Sequence, residues 1–305
     1  MLNQIKDGNI VKIEGVLSEI DLKYSTYKNK DGVDTKSIGG SIKVRVDTVI
    51  NGESTSLEIP VHMFSNQYTK AGSVSPSFES IERIMNEYVS IAASDYERAD
   101  RIRITKGEIR MNEYYGQNGQ LVSFPRISAN FASKIKKEEC KPDATFSVIF
   151  MVGNKGYELD KDGIETNRYK ITGMIPQYGG KIDVVPFFAI NQGVIDAVSN
   201  YWEEGYTVRA QGKLNFTQSV ATRTQQVDFG DPIETTYTVS ISDLVITGGS
   251  QTPLDGEFAI NEDDVAAALA QRKAALAAAK EKAANKGTAG KAPAQGGSKF
   301  KDLGF

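Results

Sequence analysis

The sequence predicts a mainly β protein made of two copies of one small barrel, followed by a helical and flexible tail. Three observations predict this. Short runs alternate apolar with polar residues through the first 250 positions, one succession of elements occurs twice, and near residue 255 the composition changes to Ala, Lys and Gly. The expected organisation is a first domain over 1–137, a second over 144–250 and a tail over 255–305.

In the first zone, Ile42, Val44 and Val46 alternate with Lys43 and Arg45, and Leu57, Ile59, Val61 and Met63 alternate with Glu58, Pro60 and His62. Both runs read as strands buried on one face. Asn51-Gly52 between them is a hairpin signal. Gly107–Met111 and Leu121–Ala129 flank Asn118-Gly119, a second hairpin. Between the hairpins, Phe78, Ile81, Ile84 and Met85 at helical spacing predict a short helix. Ser75 or Ser77 caps it, and Pro76 suits its first turn. The order is long strand, strand, strand, helix, hairpin.

That order returns in the second zone. Asp31-Gly32 is echoed by Asp162-Gly163, Leu57–Met63 by Ile182–Phe188, the helix before Tyr88-Val89 by Val194–Trp202, and Gly107-Glu108-Ile109 by Gly212-Lys213-Leu214. Five strands with a helix between the third and fourth is the layout of the OB-fold, so the expected architecture is two tandem OB-fold β-barrels.

The inventory excludes much chemistry. Cys140 is the only cysteine and His62 the only histidine, so no internal disulfide, cysteine zinc site or metal cluster is expected. No G-x-S-x-G elbow accompanies His62, and no catalytic residues or cofactor are expected. Asp160, Asp162 and Gly163 imitate half a calcium loop, but no Glu stands at its twelfth position. No window is apolar enough to span a membrane and no signal core opens the chain, so the expectation is a cytoplasmic protein that does not touch a membrane. The net charge of −3 argues against a nucleic-acid partner, but it is unevenly spread: 19 basic and 17 acidic residues over 1–137, 9 and 15 over 138–254, 8 and 7 over the remainder.

An OB barrel presents its second and third strands and two hairpin loops to extended oligomers. Single-stranded nucleic acid suits such a groove, with bases on aromatic rings and phosphates on Lys or Arg. In the first barrel the alternation points Lys43, Arg45, His62, Phe64 and Arg110 outward, while Arg101 and Arg103 add a basic pair. Tyr24 and Tyr27 end the first strand, and Tyr114 and Tyr115 lie ahead of the Gly116–Gly119 tip. The expected interface is therefore Lys43, Arg45, Arg101, Arg103 and Arg110 for phosphates, with Tyr24, Tyr27, Phe64, Tyr114 and Tyr115 for bases. Two plainer readings stay open: Tyr24 and Tyr27 cover a barrel end, or Lys43 and Arg45 are a solvated strand face. Arg209, Lys213 and Arg223 are candidates for a weaker contact on the more acidic second barrel.

The run Gly107 to Gln120, with Arg110, Tyr114, Tyr115 and Gly119, resembles the last hairpin of bacterial and phage single-stranded DNA-binding proteins. Relative to that family, residues 95–105 look like an insertion, and two barrels stand where the bacterial subunit has one. The far end is similar too: Phe300, Asp302, Leu303 and Phe305 form an apolar tip, although Lys299 and Lys301 make it less acidic than the family's. The resemblance implies a phage-like protein, not an enzyme, that coats and protects single-stranded DNA in replication, recombination or repair. It also implies that the tip recruits partner proteins. A monomer or small homo-oligomer is expected.

Before the tip, Asn261 caps a helix over Val265–Ala284, with three acids at its start and lysines towards its end. Val265, Leu269 and Leu276 give it only a thin apolar stripe, and Gly287–Ser298 reads as a linker. Two rival functions remain: a structural or virion assembly protein using OB-like barrels, and an RNA-binding factor.

Overall fold

In the computed structural model, residues 2–28, 32–50, 53–116, 118–160, 162–225 and 233–288 are described. The first half runs β1 (Asn9–Lys28), β2 (Asp34–Ile50), β3 (Glu53–Asn66), α1 (Pro76–Glu87), β4 (Arg101–Tyr115), β5 (Leu121–Ser128) and β6 (Ser133–Ile135). The second repeats the order as β7 (Asp143–Leu159), β8 (Glu165–Gln177), β9 (Lys181–Ala189), α2 (Gln192–Tyr201), β10 (Thr207–Gln225) and β11 (Ile233–Gly249). A long helix, α3 (Glu262–Thr288), follows. The chain is mainly β, as its alternation predicts.

The strand pairings of the first half run in a cycle. β1 pairs with β2, β2 with β3, β3 with β5 in parallel, β5 with β4, and β4 returns to β1. The second half repeats it through β7, β8, β9, β11 and β10, again with one parallel step, between β9 and β11. β1 also pairs with β7, from Asn9 opposite Val148 to Glu14 opposite Asp143, so hydrogen bonds run continuously between the halves.

The inward residues are those the alternation selects. Ile42, Val44, Val46, Leu57, Ile59, Val61, Met63, Ile109 and Ile127 are buried, and α1 adds Phe78, Ile81 and Ile84. Ser75 stands at the N-cap, but its hydroxyl lies 3.1 Å from that of Ser65 rather than on a helix amide, and Pro76 fills the first turn. In the second half Phe150 stacks on Phe187 at 4.9 Å and meets Trp202 edge-on at 5.8 Å. Gly173 makes that stack possible, because a Cβ there would stand 2.6 Å from Phe187 and 2.9 Å from Phe150. Gly40 has a different task. Its φ of +143° and a would-be Cβ 2.0 Å from the Asp21 carbonyl mark a bend in β2 that only glycine fits.

The start of β4 takes up residues 101–105 of the segment that looks like an insertion, with Arg101 opposite Val16 and Ile104 opposite Ile13. One expectation about the tail needs correction. The helix of the tail spans Glu262–Thr288, starting right after the expected cap but running past Ala284 and through Gly287, where the linker is expected to begin. Its first turns are packed in spite of the thin apolar stripe. Val265 and Ala268 are buried with Leu2, Ile149, Met151, Ile182 and Ile260 in a second apolar cluster. Asn261 caps the helix as predicted, its Oδ1 accepting from the Asp264 amide at 3.1 Å. Asn51-Gly52 and the tip residues Phe300, Asp302, Leu303 and Phe305 lie outside the described residues.

Candidate nucleic-acid interface

Cross-strand partners in an antiparallel pair share a face, so the register draws the outer surface of the first half. Gly39 stands opposite Phe64, Ser41 opposite His62, Lys43 opposite Pro60 and Arg45 opposite Glu58. On the other flank β1 places Glu19 opposite Lys43. Beyond β3, His62 stands beside Ser128 of β5, and Arg110 of β4 is opposite Arg126. Phe64 is half exposed and its ring covers Gly39, where a Cβ would come within 2.9 Å of the ring edge. The missing side chain gives the ring a flat bed, which suits a stacking platform.

The cations of this face are paired. Lys43 Nζ donates to Glu19 at 2.5 Å and Arg45 Nε to Asp47 at 2.9 Å. Ser56, Arg45 and Tyr96 all hydrogen-bond to Asp47, and together they hold its carboxyl below the usual range although burial pushes the other way. Arg103 donates to Glu14 at 2.6 Å, and that bond lowers the Glu14 pKa against its burial. The Lys43 and Arg45 pairs are solvent-accessible. Such pairs contribute about 0–1 kcal/mol, so a phosphate can exchange for the carboxylate at small cost.

Other predicted residues are placed differently. Arg101 is buried and its Nη1 donates to the carbonyls of Tyr96 and Ala99, both at 2.7 Å. It shapes the loop between α1 and β4 and is not available to a phosphate, which corrects its assignment to the interface. Tyr24 rests on Phe78 with ring centroids 6.3 Å apart, and its hydroxyl donates to Glu82 at 2.7 Å, so it lies along the first half of α1 with its outer side exposed. Tyr27 is half-buried opposite Thr35. Tyr114 is half exposed and Tyr115 half-buried on the β4–β5 hairpin, whose tip turns through Gly119 at φ +73°. Arg110 is drawn towards the second half, donating to Gln177 and lying 3.6 Å from Asp183.

Sequence reasoning missed several members of this surface. Tyr96 lies between two cations, 5.3 Å from Arg45 and 4.9 Å from Arg101. Phe131 is exposed next to Asn130, whose Oδ1 accepts from the Phe64 amide at 3.3 Å. Arg126 follows from the register with Arg110, and its position opposite a predicted cation was a signal available in the alternation. His62 is held below its ordinary value by burial, with a smaller contribution from the Arg126 charge, and is neutral at pH 7.

Part of the outer surface of the second half is apolar: Ile149 and Met151 of β7, Met174 of β8 and Ile182 of β9 pack with Ile260 and with Val265 and Ala268 of α3. Further along the β8–β9 pairing, exposed Lys170 opposite Phe188 and half-buried Thr172 opposite Pro186 lie outside that cluster. Arg272 of α3 forks onto Glu113 of β4, with Nε to Oε2 at 3.0 Å, which fastens the helix to the first half as well. Arg209 stacks on Phe258 at 5.8 Å, and Lys213 lines a cleft of about 510 Å³ between the halves. The side chain of Arg223 lies outside the described residues.

A family model described as YorF matches residues 7–282. No curated protein matches the chain. Among solved structures, the chain is similar to the wild-type single-stranded DNA binding protein from Thermus aquaticus, with a TM-score of 0.48 and 10% identity over 83% of this chain and 96% of that one. A deletion mutant of the same protein gives a TM-score of 0.46 and 9% identity over 81% of this chain and 95% of that one. No described helix is long and apolar enough to cross a membrane.

Proposed function

The chain belongs to the YorF family, and we propose that it is a single-stranded DNA-binding protein whose first half carries the main binding surface. The two pairing cycles are read as tandem OB barrels over 1–137 and 144–250. One observation carries the reading: the open outer face of β2 and β3 sets the half-exposed Phe64 ring on the same sheet face as the solvent-accessible Lys43 and Arg45. On the open face, Phe64 offers a base platform and Lys43 and Arg45 offer phosphate contacts within one strand pairing of each other. Tyr114, on the Arg110 side of β4, extends that surface along the β4–β5 hairpin, while Tyr115 points to the opposite face as a second stacking candidate. Stacking on such rings contributes about 1–3 kcal/mol per base regardless of sequence, which suits a protein that coats a strand.

The protein acts by binding and not by catalysis, without cofactor or metal. It works in the cytoplasm on DNA exposed in replication or recombination, where the tip at Phe300, Asp302, Leu303 and Phe305 recruits partner proteins. Mobility shift of the full chain with oligo-dT and with a duplex of equal length tests the reading. Retardation of the single strand alone supports it. Equal retardation of both, or of neither, removes it, and competition by poly-rU assigns the preference to RNA instead.

A further inference from the structure

Where the halves meet, Arg110 and Arg126 stand directly opposite each other on β4 and β5. Like charges in that position are destabilising, and their compensation is incomplete. Arg110 has Asp183, Glu108 and Gln177 around it. Arg126 has a 3.4 Å contact from Nη1 to Asn112, its Nε is buried without a partner, and it forms no ion pair among the described residues. Burial and the Arg110 charge both lower the Arg126 pKa, with Asp183 opposing them. The half-buried guanidinium therefore shares Asp183 with Arg110 and has no anion of its own within ion-pair distance among the described residues.

The turn between β8 and β9 lies beside it. Gln177 is fully buried and accepts from Arg110, while Asp183, six residues on, approaches the same guanidinium. Both stems of the turn are thus fastened to β4. Between them Gly179 and Gly180 take φ of +77° and +74°, which fixes a tight reversal that side chains disfavour. On this anchored turn Tyr178 is 75% exposed, the most exposed large apolar side chain among the described residues, and exposed Lys181 follows. An anchored tyrosine held out in solvent on the turn that contacts Arg110, with Arg126 across the strand from Arg110, combines the two elements that single-stranded nucleic acid needs, a stacking face and a phosphate ligand.

We propose that a bound single strand leaves the β2–β3 face of the first half past His62, places a phosphate on Arg126 and stacks a base on Tyr178, so that one binding path spans both halves. This rests on the single-stranded binding reading and adds its direction and its second-half contact. It also gives the more acidic half a part in binding even though α3 covers part of its outer surface.

The test uses the full chain and fluorescently labelled oligo-dT of about 8 and about 30 nucleotides, one within the range of a single barrel's site and one longer than it. Tyr178→Ala should weaken the long oligomer about 5- to 150-fold and the short one less than about twofold, and Tyr178→Phe should match the parent. Arg126→Gln should reduce the steepness of the salt dependence for the long oligomer by about 0.7. Tyr178 is exposed, so its variants keep the fold, and they carry the test if Arg126→Gln does not. Equal affinity of parent and Tyr178→Ala for the long oligomer, or equal loss at both lengths, overturns the path and leaves the single-stranded binding reading standing. If the parent binds neither oligomer, it is that reading which fails. Crosslinking of 5-iodouracil oligomers to Tyr178 gives a positive readout independent of affinity.

Discussion

The link between α3 and β4 is a sharp point at which to perturb the molecule. Arg272→Ala removes a two-pronged ion pair between residues 159 positions apart, in which Glu113 is 13% and Arg272 26% exposed at the side chain. Removing one partner of a fully buried pair costs about 3–5 kcal/mol, whereas exposed pairs contribute about 0–1. Glu113 lies near the first limit and Arg272 between them, so the expected cost is about 2 kcal/mol. At about 2–4 °C per kcal/mol for chains of 150–250 residues, the melting temperature should fall by about 4–8 °C. Denaturant unfolding of Arg272→Ala, Glu113→Gln and the double variant separates the pair from its surroundings. The expected coupling is about 1–2 kcal/mol. A coupling below about 0.3 kcal/mol, the level of independent sites, would refute the claim that this pair holds the helix to the first half.

Other expectations follow from the same geometry. Removing residues 262–305 uncovers Ile149, Met151 and Ile182, so the truncated chain should bind the dye ANS and aggregate, while the parent does neither. Glu14 has a folded pKa below its ordinary 4.5, mainly through Arg103. Its contribution is therefore present above that value and lost as pH falls through the folded one, and acid titration of Glu14→Gln should show a shallower loss of stability below pH 4.5. Gly40→Ala forces a Cβ against the Asp21 carbonyl at φ +143° and should lower the melting temperature far more than Gly32→Ala, which has φ +77° and no atom within 4 Å of its Cβ. Affinity for oligo-dT should fall with salt at about −0.7 per phosphate neutralised, and a flat response would remove the role of Lys43 and Arg45.

The strands, their order and the inward residues were legible because a half-buried strand must alternate. Ile42 to Val46 and Leu57 to Met63 carry that alternation without interruption, and both runs are buried where it says. The outward positions of Lys43, Arg45, His62 and Phe64 follow by the same rule. What alternation cannot give is partnership across long sequence distances. Glu14 meets Arg103, Glu113 meets Arg272 and Gln177 meets Arg110, none within 60 residues. Arg101 shows the cost: a basic residue at a strand start reads as exposed, yet it is buried by a loop whose carbonyls need its donors. The docking of α3 was hidden for another reason. Alanine buries little area, so a helix with one valine and two leucines shows a weak stripe although Ile149, Met151 and Ile182 supply the apolar surface it covers.

The central claim is that the open β2–β3 face of the first half binds single-stranded DNA. Fluorescence anisotropy of labelled oligo-dT against the full chain and the variant Lys43→Ala/Arg45→Ala/Phe64→Ala tests it most directly. The residues are at least partly exposed and their removal leaves the core intact. The account predicts saturable binding by the parent and at least about a 100-fold loss in the variant, as expected for one stacked base and two phosphate contacts. Saturable binding that survives the triple substitution unchanged would contradict it.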